Sequence, residues 1–197
     1  MNIRSLALVG HTGSGKTTFA EALLFKAGVT NRLGQTSEGS SVLDADPEEV
    51  KRGMSIRMAL ATMEWKGNRL HVVDTPGYFD FEGDVRLGIQ MVDHVVAVVD
   101  ATSGVEVGTE RYLQFAREAG KPRMVVVSRM TASDEVDVDA LLESLRDRLG
   151  TGVVPLVAPS GVGSGFSEVA PLFAPADEVP EWAQGMRSAL WESIVEN

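Results

Sequence analysis

The segment Gly10-His11-Thr12-Gly13-Ser14-Gly15-Lys16-Thr17 constrains this chain more than any other. Its pattern is a glycine, four residues, then Gly-Lys-Ser/Thr. An apolar run over residues 3–9 precedes it. A helical pattern over residues 16–26, apolar at Phe19, Leu23 and Leu24, follows it. Strand, glycine loop, helix is the context in which this pattern cradles phosphate. The glycines let backbone N–H groups converge on phosphate oxygens, and the helix start adds the positive end of its dipole. Lys16 is placed to reach the β- and γ-phosphates, and Thr17 to offer its hydroxyl to Mg2+. The predicted phosphate-binding set is His11, Thr12, Gly13, Ser14, Gly15, Lys16, Thr17 and Thr18.

The rest of the chain alternates strand and helix. Residues 55–65 and 69–74 flank Lys66-Gly67-Asn68, a hairpin signal. Residues 94–100 and 123–128 are Val-rich runs too short for helices, whereas 109–119 and 138–149 are helical by pattern. Strands separated by helices imply a mostly parallel sheet covered on both faces, and the hairpin adds one antiparallel edge strand. The expected fold is therefore the three-layer α/β/α arrangement of a P-loop NTPase. Residues 30–53 are polar and without periodicity, a loop long enough to be functional. After Gly150 the texture changes. Residues 153–158 read as a last strand and 159–180 as a Gly-, Pro- and Ala-rich stretch. Residues 181–196 place Trp182, Met186, Ala189, Leu190 and Ile194 on one side of a helix.

Composition removes several function classes. The chain has no cysteine, which excludes a disulfide framework and Cys-ligated metal sites. It carries 18 Lys+Arg against 28 Asp+Glu, a formal net charge of −10. Phosphate backbones require a basic face, so independent nucleic-acid binding is not expected. No apolar stretch has the length of a membrane span or a signal peptide. The sequence thus reads as a soluble, cytoplasmic, monomeric protein with no membrane partner. His71 and His94 read as structural, because no second ligand follows either at a metal spacing.

A second motif, Asp74-Thr75-Pro76-Gly77, closes the apolar run 70–73. An acid at a strand end beside a phosphate loop can hold Mg2+ through water. A glycine three residues on can give its N–H to a γ-phosphate. At this point the sequence resembles bacterial translation elongation factor G. The likeness is carried by residues 10–18 (GHTGSGKTT), Arg52-Gly53-Met54-Ser55-Ile56, residues 74–81 (DTPGYFDF), residues 98–106 and residues 166–172. It extends over nearly the whole chain and is nearer the divergent elongation factor G-like paralogues than the main translocase.

The resemblance implies a GTPase that uses GTP, GDP and Mg2+ and works on the large ribosomal subunit. It makes Ser55 the switch hydroxyl, where the family carries Thr, and gives a metal set of Thr17, Ser55 and Asp74. It gives a catalytic set of Lys16, Gly77 and Tyr78. Tyr78 stands where the family has the His that orients water, and a phenol titrating near pH 10 cannot act as an imidazole. The guanine-reading motif, Asn-Lys-x-Asp in the family, is here Ser128-Arg129-Met130-Thr131. Ser128, Arg129 and Thr131 complete the predicted nucleotide set, but a neutral Thr131 loses the charge-assisted bonds an acid makes to guanine. The expectation is relaxed base selectivity and weakened hydrolysis. Residues 1–158 are read as the G domain and 159–197 as the start of an insertion within it. The segment 180–197 resembles a helix of that insertion. The chain ends before a fifth motif, so the reading expects a truncated domain. A degenerate regulatory nucleotide-binding module and a different P-loop ATPase or kinase stay open as alternatives.

Overall fold

The structure, a computed structural model, describes residues 2–44 and 46–196. Met1, Ala45 and Asn197, which the sequence reading assigns to the chain start, the long loop and the last helical segment, lie outside the described residues. The chain divides into two compact units. The first comprises residues 1–100 and 106–128, the second residues 101–105 and 129–197.

The first unit is built on β1 (Asn2–Val9), β2 (Ala59–Trp65), β3 (Asn68–Asp74), β4 (His94–Asp100) and β5 (Arg123–Ser128). The sheet order is β2-β3-β1-β4-β5. All neighbours pair parallel except β2 with β3, the predicted hairpin, which puts the one antiparallel strand at the edge. The Val-rich run of β4 is buried from Val95 to Asp100, as a central parallel strand requires, whereas β5 at the sheet edge is only half-buried. On one face Leu8, Val72 and Val96 pack with Ala20 and Leu24 of α1 (Lys16–Lys26). Successive strand residues point to opposite faces, so Val73 and Val95 line the other. There α3 (Glu82–Met91) lies against the sheet, with Gly88 close to the Val73 side chain. Beside it runs α4 (Val107–Glu118), where Arg86 of α3 stacks 3.5 Å over the Phe115 ring. The three layers expected from the sequence are thus present in the first unit.

Three local expectations are corrected. The long polar loop contains a helix, α2 (Pro47–Arg52). Its signals are local: the Asp46 carboxylate caps the Glu48 N–H, Pro47 sits at the first turn, and Gly53 ends it at φ 62°. The helix α3 was not expected from pattern, because its apolar stripe is short, follows two acids and is interrupted by Arg86. The run 153–158 does not extend the main sheet. Residues Val157–Pro159 form β6, which pairs antiparallel with β7 (Val169–Pro171) in a separate two-stranded sheet.

In the second unit, α5 (Val138–Leu149) is capped by the Asp137 carboxylate, which accepts from the Asp139 and Ala140 N–H groups. A small core gathers Ala158, Ala170, Leu172, Val179, Ala183 and Leu190, the last from α6 (Gln184–Glu196). Of the predicted helical stripe, Leu190 is buried and Met186 packs on this core, whereas Trp182 and Ile194 are exposed.

Candidate functional site

The phosphate loop leaves β1 at Gly10 and enters α1 at Lys16, as the motif requires. A side chain at Gly10 would lie 2.5 Å from the Val98 carbonyl of the neighbouring strand, so only glycine lets β1 turn there. Lys16 is buried, and its Nζ donates to the Gly10 and His11 carbonyls at 3.0 and 2.8 Å. Burial lowers its pKa to about 8, against the opposing pull of Asp74, Asp44 and Glu106. The lysine is therefore folded back over the loop it serves. Thr18 is exposed, while Ser14 and Thr17 are buried.

Thr17 points across to the end of β3. Its hydroxyl donates to Asp74 Oδ2 at 2.6 Å and lies 3.1 Å from Ser55 Oγ. Ser55 in turn donates to Asp44 Oδ1 at 2.8 Å. The predicted trio Thr17, Ser55 and Asp74 is thus brought together, joined by Asp44. Asp74 Oδ1 is buried with no hydrogen-bond partner. Burial pushes the Asp74 carboxyl up to about 7 and also raises that of Asp44. With both hydroxyl protons directed at carboxylates, the two hydroxyl oxygens keep lone pairs for a cation. Two carboxylates and two hydroxyls are hard oxygen donors, the chemistry Mg2+ takes alongside water and phosphate. The residues present fit that ion.

Gly77 closes the site from the other side. It is buried, and a Cβ there would lie 2.7 Å from both Lys16 Nζ and Thr12 Cα and 2.8 Å from Thr12 N. Its carbonyl accepts from the buried Tyr112 hydroxyl at 3.2 Å. Tyr78 is 41% exposed at the start of the turn Phe79–Phe81. Its neighbour Phe79, equally exposed, lies edge-on to the His11 ring at 6.3 Å between centroids. His11 is further fixed by Glu106, 3.5 Å from its Nε2, and by the Thr109 hydroxyl, which accepts from its backbone N–H at 3.3 Å.

The fourth motif divides between the two units. Ser128 ends β5, and its hydroxyl lies 2.7 Å from the Ser14 carbonyl and 3.2 Å from that of Val99. That hydroxyl ties the sheet to the phosphate loop. Arg129, at φ 56°, and Thr131 are exposed in the second unit. Asp134 accepts from the Ser164 N–H and hydroxyl at 2.6 and 2.8 Å, which hold its carboxyl below the usual range. Asp134 is therefore committed to the loop at Gly163–Gly165.

Three carboxylates escaped the sequence reading. Asp44 and Glu49 are buried in or beside the long loop, and Glu21 is buried in α1. Glu49 accepts from the Ile56 and Arg57 N–H groups at 2.9 and 3.1 Å, which fixes the backbone just after Ser55. The one available signal was a loop dense in acids, and no spacing rule singles out which of them turn inward.

Comparison with known proteins decides the family. Residues 1–193 match the Elongation factor Tu GTP binding domain. The chain belongs to that family. It is 34% identical to an elongation factor G-like protein of Thermotoga maritima, covering 99% of this chain and 29% of that protein. It is 37% identical to elongation factor G 2 of Streptomyces coelicolor, covering 95% and 27%. A solved protein of Thermus thermophilus superposes with a TM-score of 0.89 at 37% identity, covering 99% of this chain and 31% of that one. A bacterial selenocysteine-specific elongation factor, EF-Sec, superposes at 0.61 and 28% identity, covering 76% and 24%. The chain thus spans less than a third of these relatives. The GTP-binding fold of the elongation factors accounts for the order of motifs along it. No helix among the described residues is long and apolar enough to cross a membrane.

Proposed function

We propose that this chain is the nucleotide switch of an elongation factor G-like translation factor, which binds GTP and GDP and hydrolyses GTP slowly. The observation that carries the reading is the joining of Thr17, Ser55, Asp44 and Asp74 beside a buried Lys16 and a glycine, Gly77, packed on the phosphate loop. In this reading the loop N–H groups and Lys16 bind the phosphates. On triphosphate binding Lys16 exchanges its two loop carbonyls for β- and γ-oxygens, a charge-assisted bond for a neutral one. Thr17, Ser55, Asp74 and Asp44 are the residues that would hold Mg2+, which would supply positive charge against the γ-phosphate. The Gly77 N–H faces the γ-phosphate. Water attacks phosphorus, the bond to the β-phosphate oxygen breaks, and GDP and phosphate leave.

The weak points of the site are also specific. The Tyr78 side chain is exposed and carries no imidazole to orient water. Thr131 offers no carboxylate to the base. These observations favour, as a second reading, a domain that binds and senses nucleotide with little turnover. In this account the partner of the whole protein is the large ribosomal subunit in the cytoplasm, the domain acts as a monomer, and residues 159–197 belong to an insertion in the nucleotide domain. The test is GTP turnover with and without ribosomes. Ribosome-stimulated multiple turnover supports the first reading. Binding without stimulated turnover supports the second.

A further inference from the structure

We propose that Glu21 is the positioning residue of the switch, holding the loop that delivers Asp44 and Ser55 to Thr17. The inference rests on the nucleotide-switch reading above and names the part that sets the switch. Glu21 lies within α1 and is fully buried. A carboxylate in such a place is costly unless it is heavily hydrogen-bonded. Its Oε1 takes all its donors from one short stretch of the long loop. It accepts from Ser41 Oγ at 2.7 Å, Val42 N at 2.6 Å and Leu43 N at 3.1 Å. The next residue is Asp44, which accepts from Ser55. One carboxylate thus fixes the backbone directly before the acid that reaches the metal site.

The second carboxylate oxygen works by shape. Oε2 is buried without a hydrogen-bond partner, and the chain passes over it at Gly34, where any Cβ would collide with the carboxylate. The loop is therefore held at two points, by close passage at Gly34 and by hydrogen bonds at residues 41–43. Ser41 adds a local brace, accepting from Leu43 N at 3.2 Å and Asp44 N at 3.1 Å. Glu21 touches none of the phosphate-loop residues through these bonds. Its role is in the loop, so its loss falls on the state that needs the loop closed.

The test uses this 197-residue chain with E21L, which removes every acceptor, and E21Q, which keeps one oxygen. S41A reads the same contact from the loop side should E21L fail to fold. Hydrogen exchange in the nucleotide-free protein is expected to show protected Val42 and Leu43 amides. Protection should be lost in E21L and partly regained in E21Q. Calorimetry with Mg2+ is then expected to show GDP affinity within about twofold of wild type. Affinity for a non-hydrolysable GTP analogue should fall about tenfold, about 1.4 kcal/mol. Unchanged exchange at Val42 and Leu43, or equal losses for GDP and the analogue, overturns the inference. If the wild-type chain binds neither nucleotide, the switch reading fails, and the exchange result alone decides whether Glu21 holds the loop.

Discussion

Asp74 and Lys16 favour each other's charged forms, but both are out of water, and burial works against either charge. The Asp74 carboxyl rises from 3.8 to about 7 because burial outweighs the Thr17 bond and Lys16. Such a group releases its proton more readily when the chain unfolds, so stability of the nucleotide-free protein falls as pH rises from about 4 through 7. Asp74→Asn is expected to raise Tm at pH 8, by about 2–4 °C for each kcal/mol regained, with the gain vanishing toward pH 4. Thermal melts across that range check it. Gly77→Ala should cost about 1–3 kcal/mol by overpacking, and should depress binding of the triphosphate more than of the diphosphate. Titration of both nucleotides against this variant reads the difference. Tyr78→His is expected to raise GTP turnover at least tenfold; unchanged turnover with and without ribosomes would remove Tyr78 as the limit. At this level the glycine-lysine motif was fully legible, because its chemistry depends on contiguous residues. Asp44, Glu49 and Glu21 were not, because their partners are backbone N–H groups and hydroxyls that only the folded loop supplies.

Strand-to-strand alternation carried most of the architecture. The Val-rich runs over β4 and β5 and the glycine turn between β2 and β3 announce themselves by composition and period. Two helices did not. α3 has an apolar face of only Val85 and Ile89 with Gly88 between, too little for a periodic signal. α2 is a six-residue helix set by its ends. Its cap has consequences for the site, because the helix carries Glu49, which fixes the backbone after Ser55. Asp46→Ala is expected to weaken α2 by about 1 kcal/mol and to speed tryptic cleavage at Lys51 and Arg52. An unchanged cleavage rate would show that α2 does not depend on its cap.

The net charge of −10 sets a problem for the molecule as a whole. An acidic chain must hold an anionic nucleotide, so the account places its affinity in local groups: loop N–H dipoles, Lys16 and Mg2+. The account makes base reading the weaker contribution, since Ser128 is tied to the loop and Thr131 has no charge. In competition GDP should be less than a hundredfold tighter than ADP; a larger ratio would mean that the base is read by residues outside the fourth motif. The family was legible from motif order, whereas base preference was not, because it turns on groups placed around the base. The most direct test is a calorimetric titration of the chain with GDP and a GTP analogue, with and without Mg2+, beside Lys16→Ala. The account predicts Mg2+-dependent binding of both nucleotides to the wild type and at least a hundredfold loss in the variant. Absent binding, or equal binding to Lys16→Ala, would contradict it.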